Sequence, residues 1–115
     1  MGREQRRRGA EGEREAAVAV TQHLGVPAER SARNGVKGAS DLQTAMRGWN
    51  WEVKRRKKAA VDRLLTHAQV DAGAEFQGNN AVLLVRVDRG EWIMSIRLAD
   101  LPQFVRDWRA VVEIK

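Results

Sequence analysis

Two carboxylates and an amine stand at a spacing that suits phosphodiester chemistry: Ser40-Asp41, ten residues, then Glu52-Val53-Lys54. On a strand, residues two apart share a face about 6.6 Å from one another. Glu52 and Lys54 then point one way, and Trp49, Trp51 and Val53 point into the other layer. Trp-x-Trp-x-Val reads as the buried face, Glu-x-Lys as the working face. Arg47-Gly48 reads as a two-residue hairpin turn between strands at 41–46 and 49–55. Antiparallel partners then sum to 95, with Asp41 opposite Lys54 and Gln43 opposite Glu52. Carboxylates converging from adjacent strands are what a hard divalent cation requires: Mg²⁺ keeps several waters and is held by one or two carboxylates plus phosphate oxygens. Such an ion polarises a scissile phosphate and lowers the pKa of a bound water. Lys54 beside it would orient that water or stabilise charge on the phosphorane. Glu-x-Lys alone also describes an ordinary solvated strand edge, and the upstream aspartate is what strengthens it.

A third acid belongs to the helix predicted over 11–24, in which Ala16, Ala17, Val20 and Leu24 fall in one stripe and Gly25 with Pro27 ends the run. Glu13 lies in the middle of that stripe, whereas Glu11 and Glu15 fall on the solvent side. A carboxylate centred on an apolar face is costly unless a cation or a metal compensates it. The alternative is an exposed first-turn carboxylate favoured by the helix dipole.

The elements that must position these groups follow from periodicity and turn residues. Residues 1–10, with Arg3, Arg6, Arg7 and Arg8, read as a mobile basic arm that either frays or lies on a phosphate backbone. A short strand at 26–33 runs into the glycine-containing loop 34–38. A helix at 57–76 carries Val61, Leu64, Leu65, Ala68, Ala72 and Phe76 on one face before Gly78-Asn79-Asn80 stops it. Strands at 81–87 and 92–98 join around Arg89-Gly90. Asp100 reads as an N-cap, with Pro102 in the first turn and Gln103 completing a capping box, for a helix through Trp108. Residues 111–114 are an edge strand or a tail. The order αβββαββα is mixed α/β with a central sheet, in one domain spanning 11–115.

Composition narrows the chemistry further. The 115 residues suffice for a single domain, and 43% hydrophobic residues suffice for one core. With no cysteine, disulfides, Cys-based zinc sites and thiol nucleophiles are excluded. His23 and His67 lack metal-ligand spacing. The absence of tyrosine removes phosphotyrosyl-linked strand breakage, and serine occurs only at 31, 40 and 95. Lys and Arg outnumber Asp and Glu by 21 to 15, a formal charge of +6; a polyanionic partner is the natural reading and solubility the plain one. Apolar runs such as 81–85 are too short to span a bilayer, and no apolar stretch of the signal-peptide kind follows the basic start, so an intracellular, cytoplasmic protein is expected.

The cations gather around the acidic residues. Arg55-Arg56-Lys57-Lys58 follow Lys54 directly, and Arg30, Arg33 and Lys37 lie in and before the loop that precedes Asp41. Four consecutive cations sit badly at the positive end of a helix, which favours a phosphate partner. No recognition-helix pattern is evident, so shape-directed binding of branched or bent DNA is expected rather than base reading. Gln69 borders the apolar face of the second helix, as a flank residue or as one that approaches the site. His67 projects away from it. Trp92, Phe104 and Trp108 read as core or dimer contacts before base-stacking platforms. Leu101, Phe104, Val105 and Trp108 form a stripe whose burial is either within one chain or between two.

Taken together, the helix start Arg8-Gly9-Ala10-Glu11-Gly12-Glu13-Arg14-Glu15, the segment Val26-Pro27-Ala28-Glu29-Arg30-Ser31, the glycine-containing loop, Ser40-Asp41 and Trp51-Glu52-Val53-Lys54 resemble the PD-(D/E)XK nuclease superfamily. Within it the chain looks most like the archaeal-type Holliday junction resolvases and their phage relatives. The resemblance covers roughly residues 8–88. It implies a restriction-endonuclease-like core, a central mixed sheet flanked by helices. It also implies that Glu13 is the helix-borne acid, Asp41 and Glu52 the metal-binding pair, Lys54 the catalytic lysine, and Glu13 the third acid around the cation. Ser31 and Arg33 fall where such enzymes have a DNA-contacting loop, and Arg8, Arg30, Lys37, Arg55, Arg56, Lys57 and Lys58 supply further DNA contacts. A homodimer with Mg²⁺, or Mn²⁺ in its place, cutting two strands of a four-way junction symmetrically is implied. The chain departs from the family pattern in Ser40, which replaces the usual proline, in a shorter hairpin, and in Trp49 and Trp51, which replace aliphatic residues. The rivals are a phage or prophage nuclease of the same superfamily that acts on other DNA structures, and a basic nucleic-acid-binding module without catalysis.

Overall fold

The structure, a computed structural model, describes residues 2–32, 39–56, 60–76, 80–87 and 90–113. The elements run α1 (Arg3–Leu24), β1 (Ala28–Arg30), β2 (Leu42–Thr44), β3 (Asn50–Arg56), α2 (Val61–Phe76), β4 (Ala81–Val87) and β5 (Trp92–Ser95), then a 3₁₀ turn at Leu98–Asp100 and α3 (Leu101–Val112). The architecture is mixed α/β, a small mixed sheet flanked by helices.

β4 is central. Its run Ala81-Val82-Leu83-Leu84-Val85 has no polar alternation, as expected of a strand covered on both faces, and all five residues are buried. β3 lies parallel to it, from Asn50↔Ala81 to Arg56↔Val87. Parallel strands need a crossover, and α2 supplies it. β5 pairs antiparallel on the other side, from Leu83↔Ser95 to Arg86↔Trp92. Alternate residues serve opposite layers. Val82 and Leu84 join Trp49, Trp51, Val53 and Phe104 with Ala16, Ala17 and Val20 of α1, while Leu83 and Val85 join Leu64, Leu65 and Ala68 of α2. Within α2, Val61 departs from the buried face the periodicity assigned it and is exposed.

α3 closes the first layer. The Phe104 ring meets Trp49 edge-on at 5.3 Å and Trp51 at 6.1 Å between centroids. Trp49 Nε1 donates to Asp107 Oδ2 at 2.8 Å, and Trp108 Nε1 donates to the Leu24 carbonyl at 2.7 Å. Phe104 is therefore buried within the chain with Leu101 and Trp108 partly buried against the same core, and Val105 alone of that set is exposed.

Several expectations are corrected. The basic segment read as a mobile arm is, from Arg3 onward, the first two turns of α1; Arg7 bridges Glu4 and Glu11 at 2.6 and 3.2 Å, the (i, i+3) and (i, i+4) pairing that supports a helix. The first strand begins at Ala28 because Pro27 has no N–H for the ladder. β2 does not form a tight hairpin with β3. It pairs with β1 instead, Ala28↔Thr44 through Arg30↔Leu42. The Thr44 hydroxyl accepts the Met46 N–H at 3.1 Å, drawing the chain out of the ladder before Gly48, at φ +86°, turns it. α2 starts at Val61 rather than at 57, beyond the cationic run that opposes a helix N-terminus. β5 ends at Ser95, not 98. Asp100 precedes α3 without capping it: its carboxylate takes the Gln69 Nε2–H at 3.1 Å, and Gln103 bonds Asp107 instead of completing a box. Val111 and Val112 are the last turn of α3, not an edge strand. The loop 34–38, the stop residues Gly78 and Asn79, Arg89 and Ile114 lie outside the described residues.

Removing the Phe104 ring leaves a cavity between two tryptophans. Phe104→Ala is expected to cost about 3–5 kcal/mol of folding free energy, measured as a lowered urea midpoint with a change in tryptophan emission; a decrease below about 1 kcal/mol would mean that α3 does not clamp the core.

Candidate functional site

Asp41 stands just before β2 and lies along the free edge of β3. Its N–H donates to the Trp51 carbonyl at 3.0 Å, and its Oδ2 accepts the Val53 N–H at 2.8 Å. Asp41 is thereby tied, by its N–H and its carboxylate, to the backbone on either side of Glu52. The expected register, with Asp41 opposite Lys54, is displaced: Asp41 lies level with Glu52, and Gln43 is exposed rather than facing Glu52. Ser40 explains the displacement. Its hydroxyl donates to the Leu42 carbonyl at 2.7 Å and accepts the Trp51 N–H at 2.8 Å, a side chain standing in for a ladder bond.

Glu52 is buried and its Oε1 lies 3.1 Å from Lys54 Nζ, so the Glu-x-Lys face is made as expected. Glu13 is also buried, and the cation that compensates it is Arg30, whose Nε donates to Glu13 Oε1 at 2.8 Å. Burial, then the nearby Glu52 carboxylate, push the Asp41 carboxyl up to about 7, with Glu13 adding to the rise; the Val53 N–H and Lys54 pull the other way. Glu13, Asp41, Glu52 and Lys54 therefore share one electrostatic neighbourhood.

Among the described residues, no three His, Asp or Glu side chains gather closely enough to hold an ion directly. The Asp41–Glu52 pair fits Mg²⁺ by donor chemistry. Both are hard oxygen ligands, and the Glu52 carboxylate is near enough to raise the Asp41 pKa, second only to burial.

The expected DNA-contacting residues are distributed unevenly. Arg55 and Arg56 are exposed at the end of β3, next to Lys54. Arg8 is exposed, 3.9 Å from Glu4. Arg30 is half-occupied by Glu13 and lines a depression of about 350 Å³ between α1 and β1, with Arg14, Thr21 and Gln22. Ser31 is buried, and its N–H donates to the Asp41 carbonyl at 3.0 Å. Arg33, Lys37, Lys57 and Lys58 lie outside the described residues.

No family model, curated protein or solved structure matches this chain. The site is therefore defined by its own chemistry.

Sequence reasoning missed four supporting contacts. Arg30 as the partner of Glu13 bridges seventeen residues and had no local signal. Glu15, read as a solvent residue, accepts from Arg86 Nη1 and from Trp92 Nε1 at 3.1 Å, tying α1 to β4 and β5. Gln69 is a structural link, donating to Asp100 and accepting from Arg97. Gly12 lies against the stem of Arg55: a Cβ there would stand 2.8 Å from Arg55 Cδ. A glycine inside a helix costs about 1 kcal/mol relative to alanine, and that cost was the signal. His67 projects outward as expected, 3.4 Å from Asp71.

An acid whose native pKa lies above its unfolded value binds protons preferentially when folded, so its contribution to stability falls as pH rises between about 4 and about 7. Asp41→Asn keeps an acceptor for Val53 and removes the charge. It is expected to be more stable than the natural chain at pH 8 by on the order of a few kcal/mol, the difference shrinking toward zero at pH 4. Urea unfolding across that range, in chelator, measures it; a less stable variant at pH 8 would contradict the assignment of strain to this carboxylate.

Proposed function

We propose that the protein is a metal-dependent DNA endonuclease of the PD-(D/E)XK type, with a restriction-endonuclease-like core, that hydrolyses phosphodiesters in four-way junctions. The observation that carries this reading is the half-buried Asp41 carboxyl held level with Glu52, with Lys54 on the same strand. Asp41 and Glu52 would hold Mg²⁺, or Mn²⁺, and Glu13, engaged by Arg30, adds its field. When bound, the ion polarises the scissile phosphate and lowers the pKa of a coordinated water. Lys54, its side chain one-third exposed, stabilises negative charge on the pentacovalent phosphorus. Arg55 and Arg56 grip the flanking phosphates, which fixes position without reading bases. Shape recognition suits a junction, and paired nicks call for two copies of the site. A DNA substrate agrees with the cytoplasmic placement expected from the sequence.

One observation favours a second reading. Glu52 with Lys54 and Glu13 with Arg30 neutralise each other in pairs, as they would in a charge network of a non-catalytic basic module. A four-way junction incubated with Mg²⁺ separates the cases: paired symmetric nicks support the resolvase, cleavage of linear duplex or flaps supports a related nuclease of other specificity, and binding without cleavage under every divalent ion supports the module.

Glu52→Gln and Asp41→Asn are each expected to lower junction cleavage more than about 100-fold, beyond the drop that mutating an outer partner of a metal ligand causes, while binding stays equal or tightens in a gel-shift assay. Full cleavage by both variants would overturn the site. Arg55→Ala with Arg56→Ala is expected to weaken binding and to flatten the slope of log K against log salt by about 0.9 for each phosphate that is no longer neutralised; an unchanged slope would mean that this pair does not touch DNA.

A further inference from the structure

The outer flank of α1 carries a mixed lining that the acidic cluster does not use. Arg14, Ala17, Val18, Thr21 and Gln22 recur at helical spacing and form one stripe. With Ala28, Glu29 and Arg30 of β1 they border the depression of about 350 Å³. Its polarity changes along its length. Arg30 reaches Glu13, so the cations Arg14 and Arg30 stand together at the end beside the acids. Gln22 lies about 12 Å further along the helix, with the Thr21 hydroxyl next to it. Between these ends the floor is Ala17, Val18 and Ala28, and Val18 is 55% exposed.

We infer that this depression seats one unstacked nucleotide of a bound DNA strand, its phosphate at the arginine end and its base against the apolar floor. DNA as the source of that nucleotide rests on the nuclease reading; the ligand class rests on the lining itself. Each part of a nucleotide finds a counterpart. Arg14 is exposed and has no ion pair among the described residues, and Arg30, though its Nε is bonded to Glu13, keeps a side chain 36% exposed. Guanidinium and phosphate make strong charge-assisted bonds. Ala17 and Ala28 are small enough to admit a flat ring, and Val18 gives it apolar surface. Glu29 accepts from an exocyclic amine, and Gln22 both donates and accepts, as the edge of a base requires. A carboxylate beside two arginines is wrong for an inorganic anion and right for a ligand that carries an amine at its other end.

Size and place agree. Small-ligand sites begin at about 300 Å³, so a depression of about 350 Å³ takes a single nucleotide and not a duplex. Arg30 is followed by Ser31, whose N–H donates to the Asp41 carbonyl. The β1 wall of the depression therefore runs straight to the carboxylate at the edge of β3, and a strand with a nucleotide seated here passes its backbone beside the acids. Taking a base out of the stack costs least where pairing is already lost. The depression thus favours branched or interrupted DNA over continuous duplex without reading sequence.

The test uses the full chain in chelator, so that no cleavage is needed. Four-way junctions carrying 2-aminopurine at successive positions about the branch are expected to show a several-fold rise in emission at one of them on binding, and continuous duplex none. Val18→Glu, which puts a carboxylate into the floor at an exposed helix position, is expected to abolish the rise at saturating protein with unchanged thermal melting. Val70→Glu, the same charge change at a position 67% exposed on α2, is expected to keep it. Gln22→Ala with Glu29→Ala is expected to weaken junction binding by about tenfold and to leave duplex binding unaltered. Junction bound in a gel shift with no rise at any position, or a rise that Val18→Glu retains, would overturn the pocket; paired nicks with Mg²⁺ would then leave the nuclease reading standing. Saturation by free deoxycytidine monophosphate at micromolar concentration, with no emission change in DNA, would make the ligand a free nucleotide and overturn the proposal. A rise lost in Val18→Glu, with no cleavage under any divalent ion, would support the pocket and remove the nuclease reading. A chain that binds no DNA would overturn both.

Discussion

A carboxylate bonded to the spine of its neighbouring strand is what the rest of the site depends on. Asp41 takes the Val53 N–H and gives its own N–H to Trp51, and those two bonds bring one end of β2 against β3. Without them β2 belongs only to its small ribbon with β1. Ser40 reinforces the join from the preceding residue, and Ser31 from the end of β1. The cost of the arrangement is electrostatic. An acid is held in a half-buried place beside two others, and the fold offsets only part of that with Lys54 and Arg30. Sites that keep such uncompensated charge are where chemistry is to be sought.

The two layers divide the labour of holding this cluster. Glu13 enters from α1, whose inner face packs on Trp51 and Val53. Glu52 and Lys54 alternate with those residues along β3 and register with Leu83 and Val85, which pack on α2. The edge of β3 is thus where groups from both layers meet, and of the strand's own residues Lys54, Arg55 and Arg56 reach solvent. Glu13 and Glu52 stand on regular elements, and Asp41, just before β2, is fixed by its two backbone bonds to β3, which favours fixed geometry over loop-borne adjustment.

Much of the fold was legible because the signals were periodic. The stripe of α1, the apolar run of β4 and the alternation of β3 each state their own burial, and the order of elements follows from them. The acids were legible for the same reason: Glu13 is conspicuous on an apolar face, and Glu52 is two residues from Lys54. What sequence could not supply was pairing. Whether β2 joins β1 or β3 is decided by Pro27, by the Thr44 hydroxyl and by Ser40, none of which alters the hydrophobic pattern. Arg30 reads as a DNA-contacting residue because cations near acids look free in one dimension. In three it is half consumed by Glu13. Glu15 was misplaced for a related reason: helical rotation fixes a direction, not what stands in that direction, and Arg86 and Trp92 stand there.

The glycine at position 12 sets a conflict for anyone seeking a hardier version of this protein. Replacing an interior helical glycine with alanine is a standard route to greater thermal resistance, worth about 0.5–1 kcal/mol. Here the added methyl would stand 2.8 Å from Cδ of the exposed Arg55 side chain, which would have to shift to make room. Robustness of α1 and the aim of Arg55 are therefore opposed at a single Cα, and a bare backbone at that point is what permits a cation to cross the helix so closely.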